Sequence, residues 1–255
     1  MPNELLTWPL HLFIVRHGES AGNVARDQAE AARLHIIDIA GRDVDVPLSP
    51  LGEQQADAVG RAFAGTPEDM RPNVALTSPY LRARDTTTRL LAAAGLSGIE
   101  TVIDERLREK EFGILDRLTK LGIEQKYPDQ AEFRRVLGKF YYRPPGGESW
   151  CDVILRLRSL TSMIAREYNN ERVLIVAHQV VVHGLRYLLE HMTEEEILAS
   201  DRAQEIANCS ITSYEFDPLA GKKGKLVPRL FNFVAPLEAT GTVVTSRPDA
   251  PVAAK

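Results

Sequence analysis

Short apolar runs alternate with amphipathic stretches along the 255 residues. That alternation belongs to a mostly parallel sheet with helices on its faces. Leu12-Phe13-Ile14-Val15 and Val173-Leu174-Ile175-Val176 are continuous apolar runs suited to buried strands. Val74-Ala75-Leu76 and the edge-type Thr101-Val102-Ile103 supply two more, and residues 211–216 and 226–233 supply two late strands. Ser49-Pro50 puts an N-cap ahead of proline at the first helical position, with Ala56, Val59 and Phe63 on one face of the helix that follows. Ser78-Pro79 repeats the signal before a helix ending near Gly95. Ser149 with Asp152 is a capping-box-like start, and Val153, Leu157, Leu160 and Ile164 then form one stripe. A further helix follows the Val173–Val176 run to about Glu190. Between Arg117 and Gly138 the helical pattern is interrupted by Gly122 and Pro128. It therefore reads as an excursion outside the sheet, about 114–147, closing in the loop Arg143-Pro144-Pro145-Gly146-Gly147. The pattern predicts the α/β class: a three-layer α/β/α sandwich with a mostly parallel central sheet, one domain over 1–236. Residues 237–255, rich in Ala, Thr, Val and Pro, read as a flexible tail.

Composition narrows the picture without placing any chemistry. A net charge of −4 and 44% hydrophobic residues exclude a disordered chain and a chain-wide basic nucleic-acid binder. Cys151 and Cys209 are far apart and in no metal-like spacing, so a reducing cytoplasm is expected and a disulfide framework is not. Met1 to Leu12 has no basic start and carries Glu4, unlike a signal peptide. No apolar run is long enough to span a membrane. The expectation is a soluble cytoplasmic protein with neither nucleic acid nor membrane as partner.

Two strands end alike: Ile14-Val15-Arg16-His17 and Ile175-Val176-Ala177-His178. If both are central and parallel, their carboxyl ends open on the edge where α/β proteins bind ligands. Neighbouring strands lie roughly 4.8 Å apart, so two terminal imidazoles can reach one phosphate. A single histidine there would read as the polar end of a strand; the pair weakens that reading. Arg16-His17-Gly18-Glu19 adds a fixed guanidinium fork for an anion and a glycine that admits close backbone approach.

These residues resemble the histidine phosphatase superfamily, which includes cofactor-dependent phosphoglycerate mutase and fructose-2,6-bisphosphatase. Arg16-His17-Gly18-Glu19-Ser20 with Asn23 is similar to the family's opening motif. Ser78-Pro79 through Arg82-Ala83 to Thr86 is similar to the second, and Leu107-Arg108-Glu109-Lys110-Glu111-Phe112-Gly113 to the third. His178 matches the second catalytic histidine. The resemblance runs from His11 to about Phe216 and implies a phosphoglycerate mutase-like fold. It also implies a phosphohistidine on His17, charge stabilisation by Arg16, Arg82 and His178, and Glu109 as general acid and base. No metal or cofactor is required, because the arginines take the metal's electrostatic role. The implied partner is a small phosphorylated substrate, and a homodimer is left open.

Each assignment has a competitor. Arg84 competes with Arg82, since positions two apart on a helix face different ways; the motif spacing selects Arg82. Glu111 competes with Glu109 in a run of charges that is mostly solvated. His11, His35 and His191 match nothing and read as structural. Asp43-Val44-Asp45-Val46 imitates the paired-aspartate loop of another phosphatase family but follows no apolar strand.

Within the family, Arg135 and Lys139, then Tyr142-Arg143, Pro145 and Gly147-Glu148-Ser149, resemble the substrate-binding stretch of fructose-2,6-bisphosphatase, as does His178-Gln179. The resemblance implies that Arg135 and Lys139 hold the substrate's other anionic group, with Ser20, Asn23, Tyr142 and Gln179 completing the substrate set. A solvated basic helix face is the competing reading for the two cations. Three positions depart from the pattern: His183 stands for an arginine, Lys120 for a tyrosine, and Arg117 for a small residue. The sequence thus predicts a metal-independent phosphatase for a small anionic substrate, a sugar phosphate among the candidates. A mutase-type transferase and a non-catalytic protein-binding domain are the alternatives.

Overall fold

The computed structural model describes residues 8–246. The chain runs β1 (His11–Arg16), α1 (Ala21–Ala31), α2 (Pro50–Ala64), β2 (Val74–Thr77), α3 (Leu81–Ala93) and β3 (Glu100–Ile103). The excursion follows as α4 (Lys120–Lys126) and α5 (Pro128–Tyr141), and then α6 (Trp150–Glu167), β4 (Arg172–Ala177) and α7 (Gln179–Leu189). α8 (Glu194–Ala203), β5 (Ile211–Asp217), β6 (Lys225–Phe233) and α9 (Ala235–Ala239) close it.

One six-stranded sheet forms in the order β3-β2-β4-β1-β5-β6. The first four strands are mutually parallel; β5 lies antiparallel to β1, and β6 antiparallel to β5. The continuous apolar runs of β1 and β4 are explained by helices on both faces. Leu12, Ile14, Val173 and Ile175 pack on Leu157, Leu160 and Leu185 of α6 and α7. Val15, Leu174 and Val176 pack on Val59, Phe63 and Leu90 of α2 and α3. Burying each such side chain contributes about 1.5–3 kcal/mol, so the two sheet faces hold the fold.

The expected caps appear at α2, where Ser49 Oγ accepts from Gly52 N at 3.0 Å, and at α6, where Ser149 and Asp152 form the reciprocal box. Ser78-Pro79 does not cap a helix: α3 begins at Leu81. In the excursion, Pro128 opens α5 and Gly138, at φ 79°, breaks its last turn. The chain beyond 236, expected as a loose tail, instead packs on the domain through 246. Leu237 of α9 is fully buried in the α2–α3 layer. Gln55 Nε2 donates to Val243 O at 2.9 Å, and Asn208 N donates to Thr245 O at 2.7 Å. An apolar residue amid small polar ones left no periodic signal for this docking. The rest of the expected tail lies outside the described residues. Among the described residues no helix is long and apolar enough to cross a membrane.

Candidate active site

The register of β1 against β4 pairs Arg16 with Ala177, so His17 and His178 are the next residues beyond two adjacent parallel strand ends. Their ring centroids are 5.1 Å apart, and both are fully buried. His17 N donates to Ala177 O at 2.9 Å, which ties one strand end to the other. His17 Nδ1 lies 2.7 Å from Gly18 O. A carbonyl only accepts, so in neutral His17 the proton sits on Nδ1 and Nε2 keeps its lone pair. His178 Nε2 lies 2.8 Å from Ser78 Oγ, and the Tyr80 ring packs edge-on to its imidazole at 5.1 Å. The serine that reads as a helix start is therefore spent on the second histidine.

The loop after β1 is braced by α2. A Cβ on Gly18 would lie 2.4 Å from Gly52 O, and one on Gly52 would lie 1.9 Å from Glu19 O, so the two backbones meet where only glycine fits. Glu19 accepts from Ser49 Oγ at 2.6 Å, and Glu19 N donates to Gln55 Oε1 at 2.8 Å. Asn208 Nδ2 donates to His17 O at 3.0 Å from the segment leading into β5.

Two buried arginines set the charge here. Arg16 is fully buried and donates to Ile206 O at 2.5 Å. Arg82 is buried over the Tyr80 ring and grips Asp43: Nη1 reaches Oδ1 at 3.0 Å and Nη2 reaches Oδ2 at 3.2 Å. Arg84 points to solvent, as the motif spacing requires. Asp43, set aside in the sequence, thus lies against an arginine of the site.

Glu109 is 1% exposed, and its Oε1 accepts from Lys110 N at 2.7 Å. Arg156 Nη2 donates both to Glu109 O at 3.2 Å and to Glu148 Oε2 at 3.0 Å, Nε holds Glu148 Oε1 at 2.9 Å, and Nη1 donates to Arg106 O. Glu148 in turn receives Arg108 Nη2 at 2.7 Å and Glu111 N at 3.1 Å. The Arg108–Glu111 turn is clamped in this way. Glu111 is exposed and accepts from Tyr80 OH at 2.9 Å; burial, then the Glu111 charge, pushes that phenol above its ordinary range.

The expected substrate set separates. Ser20 and Asn23 cap α1 reciprocally and line a cavity beside Arg82. Gln179 is buried at the start of α7, next to His178. Tyr142 is buried in the small core of the excursion, with Leu115, Leu118 and Ile123, and donates its hydroxyl to Gln130 Oε1 at 3.0 Å. Arg135 is exposed and paired with Glu132, the solvated helix face that stood as the competing reading. Successive helical residues point about 100° apart, and α5 turns Arg134 rather than Arg135 toward the inside. Lys139 lies over the Trp150 ring and pairs with Asp201 at 2.5 Å. His183 faces the same Asp201 at 3.8 Å; burial lowers its pKa to about 4. Lys110, which sequence reasoning passed over, is almost buried above the Phe112 ring at 4.3 Å. Burial, then Arg134, brings its pKa down to about 8. Lys120 is exposed. The motifs exposed the two histidines; the contacts of Ser78, Asp43, Lys110 and Arg134 needed the tertiary structure.

Two buried imidazoles at adjacent strand ends, beside the buried guanidinium groups of Arg16 and Arg82, place a cationic, anion-binding cluster at the carboxyl edge of an α/β sheet. The family model of the histidine phosphatase superfamily (branch 1) matches residues 12–223, and the chain belongs to that family. It is 33% identical over 191 residues to a 2,3-bisphosphoglycerate-dependent phosphoglycerate mutase of Rhizobium meliloti, covering 73% of this chain and 82% of that one. A second mutase so named, from Gloeobacter violaceus, is 30% identical over 222 residues, 86% of this chain and 91% of its own length. Among solved structures, Bacillus stearothermophilus YhfR superposes with a TM-score of 0.68 at 28% identity, covering 89% of this chain and 98% of that one. The mycobacterial glucosyl-3-phosphoglycerate phosphatase superposes with a TM-score of 0.66 at 25% identity, over 88% and 99% of the two chains.

Proposed function

We propose that the chain is a phosphatase that hydrolyses a small phosphorylated metabolite through a phosphohistidine on His17. The observation that carries this reading is the His17 Nδ1 contact with Gly18 O at 2.7 Å, which leaves Nε2 as an in-line nucleophile beside His178. Nε2 attacks phosphorus as the ester P–O bond breaks, and Glu109 gives its proton to the departing oxygen. A water then attacks the phosphohistidine, yields a proton to Glu109, and the P–N bond breaks to release phosphate. Arg16, Arg82 and His178 stabilise charge spread over the phosphoryl oxygens. Losing one such donor typically costs about 2.7–4 kcal/mol of transition-state stabilisation. The inward-facing cations Lys110, Arg134 and Lys139 support an anionic substrate, Lys110 and Arg134 standing in for the expected Arg135.

A mutase is the second reading, favoured by the curated relatives named above. A mutase must keep water from the phosphohistidine until the isomeric acceptor returns. Phosphate release from phenyl phosphate, measured beside 3-phosphoglycerate isomerisation, separates the two. Hydrolysis that persists with a chelator and disappears in His17→Ala supports the phosphatase. Isomerisation without phosphate release supports the mutase, and full activity in His17→Ala overturns both.

A further inference from the structure

The buried Tyr80 side chain is fixed on three sides. Its ring meets His178 edge-on at 5.1 Å, and the Arg82 guanidinium lies over it at 4.9 Å. Its backbone N donates to Ser78 Oγ at 3.3 Å, the hydroxyl that also contacts His178. Tyr80 therefore stands as a rigid post against the histidine pair, whose own rings are 5.1 Å apart. Burial, then the Glu111 charge, keeps the phenol protonated, so it is a permanent donor. Its acceptor is Glu111 Oε1 at 2.9 Å.

Glu111 is exposed in a run of charges, where a carboxylate is ordinarily left to water. Its backbone is gripped from the opposite side. Glu111 N donates to Glu148 Oε2 at 3.1 Å, and Glu111 O accepts from Glu148 N at 2.9 Å. A Cβ on Gly147 would lie 2.7 Å from that same carbonyl oxygen. Arg156 links Glu148 to Glu109 O. Glu109, two residues before Glu111, thus sits in a turn fastened to α6 through Arg156 and Glu148, and to the histidine wall through Glu111 and Tyr80. Within the turn its carboxylate is held by Lys110 N at 2.7 Å. β2 and β3 are adjacent, with Thr77 opposite Ile103, so the bond from Tyr80 closes the gap between the loops that follow these two strands.

We infer that Tyr80 and Glu111 are positioning residues for the general acid, their hydrogen bond holding the Glu109 turn in place over His17 and His178. The inference rests on the phosphatase reading and adds to it the pair that aims the proton. Misplacement by about 1 Å can cost a hundredfold in rate. Here the loss falls on bonds whose leaving oxygen needs the proton of Glu109.

Two esters test this. When phenyl phosphate is cleaved, the electron pair of the P–O bond goes to an oxygen that takes the proton of Glu109; 2,4-dinitrophenolate leaves without one. Tyr80→Phe keeps the ring and removes the donor. It should lower kcat/KM for phenyl phosphate at least tenfold and for the dinitrophenyl ester less than twofold. Glu111→Ala should do the same, and Glu111→Gln, whose amide oxygen still accepts from Tyr80, should recover most of the loss. Equal losses on both esters, or none on phenyl phosphate, would overturn the inference. So would a Glu111→Gln variant as poor as Glu111→Ala, which makes Glu111 itself the proton donor. A wild type that releases phosphate from neither ester defeats the phosphatase reading separately. Amide exchange at Lys110, whose N–H is bonded to the Glu109 carboxylate, then reads the positioning without turnover. Exchange several-fold faster in Tyr80→Phe supports it, and unchanged exchange overturns it.

Discussion

The hydroxyl of Ser78, 2.8 Å from His178 Nε2, is the smallest group on which the proposed chemistry turns. A hydrogen bond of this kind contributes about 0.5–1.5 kcal/mol to stability, so Ser78→Ala should lower Tm by about 1–6 °C and lower kcat in the fully folded enzyme by freeing the His178 ring. His183 sets a pH dependence of stability. Its folded pKa is about 4 against an ordinary 6.5, so below pH 6.5 the unfolded chain takes a proton that the folded one refuses. Stability is complete above that value and declines as the pH falls from 6.5 toward 4, by about 3 kcal/mol at most. Urea unfolding at pH 7 and pH 5 measures the decline, and His183→Phe should flatten it. At this scale the sequence is readable where a motif fixes chemistry and unreadable where rotation decides. The motif spacing separated Arg82 from Arg84, but nothing local says whether α5 turns Arg134 or Arg135 inward; the first turns of α5 meet the excursion's small core through Ala131.

Strands and capped helices were legible because their signals are local. β1 and β4 announce themselves as unbroken apolar runs, and α2 and α6 carry their caps in sequence. α1 and α8 carry capping boxes, Ser20 with Asn23 and Thr193 with Glu196, but no apolar stripe. α1 turns Asn23, Arg26 and Ala29 inward, so no apolar stripe exists, and α8 buries only Ile197. The role of α2 as a brace was equally hidden, since it depends on two glycines 34 residues apart meeting back to back. Gly52→Ala tests it. A methyl group 1.9 Å from Glu19 O cannot be accommodated by a side-chain shift. Overpacking of this sort costs about 1–3 kcal/mol, or about 2–4 °C of Tm per kcal/mol at this size. Calorimetry should show that loss, and activity should fall further than the folded fraction, because the displaced backbone carries His17.

Across the whole molecule a net charge of −4 surrounds a cluster of buried cations, so long-range steering of an anionic substrate competes with the acidic surface. Raising the salt from about 20 to about 200 mM shortens the screening length roughly threefold. KM for the anionic substrate should then rise several-fold with kcat unchanged, as initial rates at a series of salt concentrations will show. No composition average could reveal this, because opposite charges segregate only on folding. The docked C-terminal segment was missed for a related reason: its contacts are single hydrogen bonds to distant residues. Thr245 bonds Asn208, which bonds the carbonyl of His17, and Val243 bonds Gln55, which bonds Glu19. The end of the described chain is thereby wired to the nucleophile loop by two short relays. A protease nick near Thr242, or a purification tag that tugs on this stretch, would act as a remote perturbation of His17, so a recombinant version is better fused at its other end.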